Sequence, residues 1–478
     1  MENNTINFDK LIEQAVDPQT KNQVKMALAV VKLVAESGGR TLIVGGYVRD
    51  LLLKDLGYSV EPKDIDLEVY GLAYDKIREL LEPLGPVNVV GAQFSVIKFG
   101  DLDIALPRRE SKIGKGHRGF AITGEPDLSF SEASKRRDFT INALALDLLT
   151  GEIIDAHGGI DDLEEGVLQA TDPETFGDDP LRALRAMQFV GRFNLRIEAK
   201  TADLCRGLEL SELSPERIGD EWKKLLLKSE KPSKGLSLAL DLGIINKLHP
   251  ELLELVGTPQ SVRWHPEGDV WTHTLMVVDE AAKLIRQKNF DEKRSLIFMF
   301  FALTHDMGKP VTTVVEDEKV TSYGHAKAGI QPAEKFMRSL SLPDEMIKHV
   351  LLLAGEHMYP AFNKDLSDAA IRRLALRLAP ATIEELVWSS EVDRRGRAIP
   401  WHGFPEGEAL LERAKQLSLE DTKPKPLVMG RHLIELGLEP GPGFGQVLDE
   451  LFEAQLEGKF STVEEGIEYY KNEGESRG

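Results

Sequence analysis

Gly45-Gly46 follows the apolar run Leu42-Ile43-Val44, and further along Pro62-Lys63-Asp64-Ile65-Asp66-Leu67-Glu68-Val69 alternates carboxylates with branched apolar residues. Strand period two predicts Asp64 and Asp66 on one face of a short strand. Carboxylates held side by side repel unless a cation lies between them, and hard oxygen ligands of this kind suit Mg²⁺ carrying a nucleotide's phosphates. The glycine pair, ahead of the helix start Tyr47-Val48-Arg49-Asp50, brings backbone N–H groups and a positive helix end to those phosphates. The chemistry within reach is metal-dependent transfer of a nucleotide.

Further residues extend that chemistry. Asp103, in the alternating run Asp101 to Leu106, is either a third carboxylate for the metal or a solvent-facing strand residue. Arg136-Arg137-Asp138-Phe139-Thr140-Ile141-Asn142 offers two fork-shaped cations for bidentate phosphate contact, with a carboxylate and an amide that could hold a ribose hydroxyl. A structural Arg–Asp ion pair explains the same residues. Asp178-Asp179-Pro180-Leu181-Arg182-Ala183-Leu184-Arg185 reads as a helix start, with Asp as N-cap and Pro in the first turn. Its apolar stripe is Leu181, Leu184, Met187 and Val190, which leaves Arg182, Arg185 and Arg192 on other faces. Three-residue spacing puts Asp179 near Arg182. A carboxylate beside a guanidinium accepts from an amino group and donates to a ring nitrogen, the pattern on the pairing edges of C and A but not of U and G. The plainer alternative is that Asp179 caps the helix and Arg182 is solvated.

A second constellation lies downstream. Six of the chain's 11 histidines fall between positions 265 and 357, within Trp264-His265-Pro266-Glu267, Trp271-Thr272-His273, His305-Asp306-Met307-Gly308-Lys309, Gly324-His325, His349 and Glu356-His357, and Asp393 follows. Neutral imidazoles and carboxylates from several helices make a transition-metal or Mg²⁺ site with positions left for phosphate and water.

The elements that must position these residues can be read from periodicity. Thr20 to Gly38 has Val24, Ala27, Val30, Val31 and Val34 at helical spacing. Then come the opening strand, a helix carrying Val48, Leu51 and Leu52, the aspartate strand, a helix from Tyr74 to about Leu84, and strands at Val87–Val90, Phe94–Phe99 and Asp101–Leu106. Arg108 to Phe120, basic and punctuated by glycine, is expected to be a mobile loop. From Asp178 the period is helical. The expected class is therefore α+β: a mixed sheet with helices, followed by an all-α remainder. At 478 residues the chain is expected to form roughly three or four compact units. Boundaries are placed at residues 1–39 (N-terminal helical extension), 40–150 (catalytic head), 151–257 (helical neck), 258–400 (histidine-rich domain) and 401–478 (helical tail).

The formal net charge of −20 argues against a protein that coats nucleic acid generally. It does not preclude a local basic face around Arg108–Arg118 and Lys135–Arg137. No apolar run is long enough for a membrane span, and the N-terminus lacks a signal-peptide pattern. A cytoplasmic location is expected. The single cysteine, Cys205, has no disulfide partner in the chain.

Taken in order, Gly45-Gly46 with Val48-Arg49-Asp50, Asp64-Ile65-Asp66, Arg136-Arg137-Asp138 through Ala143, and Asp179-Pro180-Leu181-Arg182-Ala183-Leu184-Arg185 resemble the motifs of the bacterial class II tRNA nucleotidyltransferases, the CCA-adding enzymes. These belong to the polymerase-β-like, or poly(A) polymerase, superfamily. His273, His305-Asp306 and Asp393 resemble an HD-type phosphohydrolase domain carried by one branch of that family. The resemblance implies a head, neck, body and tail, and addition of C, C and A to tRNA 3′ ends from CTP and ATP. It implies catalytic metal, Mg²⁺, on Asp64 and Asp66, and triphosphate and ribose contacts from Arg136, Arg137, Asp138 and Asn142. Asp179 and Arg182 would serve as the protein template for C and A, and the basic loop as the element that switches CTP to ATP. The HD domain would hold a divalent metal on His273, His305, Asp306 and Asp393. It would act as a phosphohydrolase or 2′,3′-cyclic phosphodiesterase. The family's template motif commonly begins with Glu where this chain has Asp178, so the resemblance assigns that position no firm role. Rival readings are a poly(A) polymerase, an enzyme adding only CC or only A, a signalling HD phosphohydrolase whose head binds nucleotide, and a non-catalytic RNA-binding module.

Overall fold

Asp17 accepts a hydrogen bond from the Thr20 N–H and Pro18 takes the first helical position, so helix α1 (Pro18–Glu36) begins two residues before the apolar spacing predicts. Val24, Ala27, Val30, Val31 and Val34 are all buried along it. Each fully buried valine contributes about 1.5–3 kcal/mol relative to an exposed one. The computed structural model describes the chain apart from residues 1–5, 7–10, 14, 16, 91–95, 113–119, 318, 363–365, 442 and 477–478. The described chain gathers into two compact units: residues 1–225 with 234–248, and residues 226–233 with 249–478.

The first unit is built on a seven-stranded mixed sheet. Its strands are β1 (Arg40–Val44), β2 (Asp66–Tyr70), β3 (Val87–Val90), β4 (Val96–Phe99), β5 (Leu102–Ala105), β8 (Leu144–Leu146) and β9 (Ile153–Asp155), in the order β3-β4-β5-β2-β1-β8-β9. All neighbours are antiparallel except β2 and β5, whose parallel register sets Asp66 beside Asp103. Between β1 and β2 runs α2 (Gly46–Asp55), which buries Tyr47, Val48, Leu51, Leu52 and Leu53.

Here the structure corrects one expectation. Asp64 is not in the strand; it has φ +60° and stands exposed before β2 begins. A left-handed residue breaks the two-residue period, so the strand neighbour of Asp66 is Asp103. The expected loop at 108–120 is also partly ordered: β6 (Arg108–Lys112) and β7 (Phe120–Gly124) pair as an antiparallel hairpin. Its tip lies outside the described residues. Helix α3 (Leu181–Phe193) starts at Pro180 without a side-chain N-cap, while Asp178 sits in the preceding 3₁₀ turn. Asp179 accepts from the Leu181 N–H at 3.1 Å instead. Cys205 is buried in the helix Ala199–Gly207, where burial pushes its thiol up to about 12.

The second unit is helical. Its centre is α5 (Glu292–Thr304), in which Phe298, Met299, Phe300, Phe301, Ala302 and Leu303 are all fully buried. A helix apolar on every side must be surrounded, and α4 (Val270–Gln287), α7 (Asp344–Glu356) and α8 (Ile383–Arg395) pack on it. α6 (His325–Ala328) is a single turn that follows a short hairpin. The chain beyond 425 forms a smaller core of its own, from Val428, Leu433, Leu451, Ala454 and Phe460. Among the described residues no helix is long and apolar enough to cross a membrane.

One close approach in this unit holds the turn after Asp306 in place. A Cβ on Gly308 would lie 2.0 Å from the His325 carbonyl oxygen and 2.5 Å from the Gly329 nitrogen. Backbone cannot step aside as a flexible side chain can, so Gly308→Ala is expected to cost about 1–3 kcal/mol. Thermal melting should show a fall of several degrees; an unchanged midpoint would contradict this packing.

Candidate functional site

At the end of β1 the chain turns at Gly45, with φ +81°, and enters α2. A Cβ on Gly45 would stand 2.6 Å from Arg137 Nη1, so the turn requires glycine for the arginine to lie against it. Arg137 donates to the Asn142 carbonyl at 3.3 Å, and its buried Nε has no hydrogen-bond partner among the described residues. Burial and the neighbouring Arg136 cation depress its pKa. An anion here would offset the charge of both guanidinium groups. Arg136 is held by Glu68 at 2.9 Å, and Glu68 also accepts from Tyr70 at 2.7 Å.

These groups open onto a cleft of about 690 Å³. Nine Lys or Arg side chains and six carboxylates line it, a local reversal in a chain of net charge −20, and such a wall attracts a polyphosphate. Of the residues singled out in the sequence, the cleft brings together Gly46, Arg49, Asp66, Arg136, Arg137, Asp138, Asn142, Asp179, Arg182 and Arg185. Gly45, Asp64 and Asp103 are not in its wall.

Asp66 is nonetheless coupled to both of those carboxylates. Crowding by protein around its carboxyl is the largest influence, and, although Arg137 opposes it, the Asp103 and Asp64 charges add to push the group up to about 6. The residue keeps solvent access, so a cation can reach it. Asp103 is paired with Lys98 at 2.7 Å.

Asp138 and Asn142 are less open than their sequence motif suggests. One Asp138 oxygen accepts from the Phe139 N–H and from Asn142 Nδ2, each at 2.9 Å, and the other accepts from Arg185 Nε. Asp179 and Arg182 do not pair with each other: Asp179 is bound by Arg217 at 2.8 Å. Arg182 donates to the carbonyls of Thr175 at 2.8 Å and Arg136 at 2.6 Å. Arg217 had no local signal in the sequence, because 38 residues separate it from its partner.

In the second unit His273, His305, Asp306, His325, His357 and Asp393 converge and are all buried. Four donate or accept through α4, the end of α5, the end of α7 and α8. His273 Nδ1 meets Glu267 at 2.9 Å and its Nε2 meets Asp393 at 3.0 Å. His305, His325 and His357 each turn Nδ1 to a backbone carbonyl, of Ala302, Ser322 and Ala354, at 3.0, 2.8 and 2.7 Å. That network assigns the proton to Nδ1 and leaves Nε2 a lone pair. His305 Nε2 is buried without a hydrogen bond among the described residues. The Nε2 atoms of His325 and His357 face each other at 3.3 Å. Facing lone pairs need a proton or a cation between them.

Electrostatics agree with a cation site. Burial, with His325 and His305 beside it, lowers His357 to about 3, so its imidazole is neutral. Burial pushes Asp306 and Asp393 up, yet both lie well below the ordinary carboxylate range. Lys309 and His305 hold Asp306 there, and Arg397 and His273 hold Asp393. Lys309 Nζ lies 2.6 Å from Asp306 and 2.6 Å from Gln260. The neutral His357 imidazole beside two ionised carboxylates belongs to the kind of donor set a divalent ion takes. His325 and His357 were visible in the sequence only as scattered histidines, and Glu267, Lys309 and Gln260 acquire their places through tertiary contacts.

Comparison with known proteins covers both units. The family model described as Poly A polymerase head domain matches residues 41–169. The model described as probable RNA and SrmB-binding site of polymerase A matches residues 194–255, and the HD domain model matches residues 270–394. A protein of Stenotrophomonas maltophilia named Multifunctional CCA protein is 35% identical over 422 residues, spanning 85% of this chain and 96% of the relative. One of Xanthomonas campestris pv. campestris with the same name is 32% identical over 421 residues, 85% of this chain and 95% of the relative. Among solved structures, the Bacillus stearothermophilus CCA-adding enzyme in complex with CTP aligns with TM-score 0.64 at 20% identity, over 95% of this chain and 98% of that one. The Thermotoga maritima CCA-adding enzyme complexed with tRNA aligns with TM-score 0.60 at 21% identity, over 98% and 99%. Both share the α+β architecture.

The raised pKa of Asp66 gives a testable sign. Its folded-state value of about 6 lies above the ordinary 3.8, so the folded protein holds this proton more tightly than the unfolded chain. The stability it confers is present at low pH and is lost as pH rises through about 6. In chelator-treated buffer Asp66→Asn should melt with wild type near pH 4 and above it beyond pH 6. A difference that does not change over this range would show that the carboxyl is unperturbed.

Proposed function

The chain belongs to the multifunctional CCA protein family, and from that premise we propose that it adds C, C and A to the 3′ ends of tRNA from CTP and ATP by metal-dependent nucleotidyl transfer. The observation that carries this reading is one cleft that takes in Asp66, the Arg136–Arg137 pair, and Asp179 with Arg182. A triphosphate needs the first two and a selected base the third. Nucleotidyltransferase and HD domains use divalent metals, and Mg²⁺ is the ion that suits the carboxylates of the head. Asp64 and Asp66 would hold it, with Asp103 as a third carboxylate beside them. An ion held by these carboxylates would supply Lewis acidity toward a primer's 3′-hydroxyl and positive charge beside the departing pyrophosphate.

The other assignments concern this chain's own groups. Arg136 and Arg137 hold the triphosphate, and the Gly45-Gly46 turn admits it close to backbone. Asp179 and Arg182 take the pairing edge of C or A, exchanging their contacts with Arg217 and the two carbonyls for contacts with the base. Asp138, Asn142, Arg49 and Arg185 shape the ribose side of the cleft. The hairpin β6–β7 presents Arg108 and Arg109 to the same space. The head, neck, HD domain and tail are assigned to 40–150, 151–257, 258–400 and 401–478, after a helical extension over 1–39. We place the protein in the cytoplasm.

The histidine cluster is proposed as a second, metal-dependent phosphohydrolase or 2′,3′-cyclic phosphodiesterase centre. His273, His305, Asp306 and Asp393 are its ligands, and His325 and His357 complete the donor set. A divalent ion there supplies Lewis acidity and an ionised water. Glu267 fixes the His273 tautomer, a role whose loss commonly weakens metal binding 10- to 100-fold.

Incubation with tRNA lacking its 3′ end, Mg²⁺ and each labelled nucleotide tests the first centre. Ordered addition of two C and one A, abolished in Asp64→Ala/Asp66→Ala, is expected. A long A tail would move the protein to the poly(A) polymerases, and addition of C alone or A alone to the partial enzymes. For the second centre, Asp306→Ala should lose 2′,3′-cyclic phosphodiesterase activity and bound metal while retaining nucleotide addition. Retained phosphodiesterase activity would remove the assignment.

A further inference from the structure

Helix α3 carries Arg182, Arg185, Phe189 and Arg192 at steps of three, four and three residues, which places them on one face. That face is turned into protein. Arg185 Nε meets Asp138, the Arg185 guanidinium lies over Phe189 at 5.2 Å, and Arg192 Nη2 stands 3.6 Å from Asp50 Oδ2. Asp50 Oδ1 is gripped by Arg49 through Nε at 2.8 Å and Nη2 at 2.7 Å. Arg49 also donates to the Asn142 side chain, and Asn142 donates to Asp138. The contacts therefore close on themselves, from Asp50 through Arg49, Asn142, Asp138 and Arg185, then along α3 to Arg192 and back. Arg49 lies over the rings of Phe189 and Phe193 at 5.2 and 5.0 Å.

Packing of its buried residues and the two carbonyl contacts of Arg182 already seat α3. The Arg185–Asp138 and Arg192–Asp50 contacts fix its polar face at two points seven residues apart, about 10 Å along the axis. We propose that Asp50 and Arg192 are positioning residues for nucleotide selection: their pair holds the polar face of α3 at the end away from the base and tunes the direction in which Asp179 and Arg182 present to it. Arg192 is about 15 Å along the helix from Arg182, so it acts through the helix and not by contact with the nucleotide. The proposal rests on the reading of Asp179 and Arg182 as the base-selecting pair. Removing Arg192 leaves Asp50 still bound by Arg49, so the fold keeps its buried charge paired.

The test uses the full chain and tRNA lacking its 3′ end, with CTP, ATP and UTP supplied separately. Arg192→Ala is expected to lower the preference for CTP over UTP, as the ratio of kcat/KM values, by about tenfold, since small misplacement of a positioning group has large effects. Arg192→Lys should restore most of that ratio, and melting should stay within a few degrees of wild type. Equal losses for all three nucleotides, or an unchanged ratio, would overturn the proposal. Should Arg192→Ala fail to fold, Asp50→Asn and Arg192→Lys report the same ratio. A wild-type protein that adds neither C nor A would defeat the functional reading itself, and this inference with it.

Discussion

Asp138 is a buried carboxylate that would be costly to ionise without partners, and its partners come from two separate pieces of the chain. The Phe139 N–H and the Asn142 amide come from its own turn, and Arg185 comes from α3. Burial opposes the charge, but Arg185 and Asn142 hold its pKa below the ordinary value. Because a buried charge cannot tolerate loss of a partner, the turn and the helix must be placed together. On that placement depend the direction of Arg136 and Arg137, the carbonyl that binds Arg182, and the shape of the cleft between them.

The cleft resolves a conflict of charge that the sequence contains. An acidic chain binds a polyanion only if its cations are gathered and its nearby acids are occupied. Glu68 is occupied by Arg136 and Tyr70, Asp103 by Lys98, and Asp179 by Arg217. Asp66 has no such partner among the described residues, and burial, with the Asp103 and Asp64 charges adding to it, raises its pKa.

The second unit answers the same problem with different donors. His305, His325 and His357 give Nδ1 to backbone carbonyls and aim Nε2 inward, and the unit's two aspartates stay ionised beside Lys309 and Arg397. Backbone carbonyls at the ends of α5 and α7 are the orphan acceptors any helix terminus leaves, so His305 and His357 satisfy the helix and are oriented by it. Nitrogen with oxygen selects a softer ion than the all-oxygen head.

Much of this was legible in the sequence because it depends on local period and residue type. The apolar spacing of α1, the opening strand, the α+β order and the family motifs are of that kind, and the valines expected at the core of α1 are buried. Asp64 was misread because a single left-handed residue leaves no trace in an alternating pattern. The 108–120 segment was misread because pairing between β6 and β7 is made across strands, and no residue in either strand carries it alone. Arg182, Arg185 and Arg192 lie off the apolar stripe of α3, as the spacing indicates, but composition cannot say whether that charged face meets water or meets Asp138 and Asp50. By itself the sequence determined which chemical groups this protein possesses and the elements that carry them. Only the tertiary structure decided which groups meet, because Arg217 reaches Asp179 and His273 reaches Asp393 across 38 and 120 residues, separations at which contact is set by packing and not by spacing along the chain.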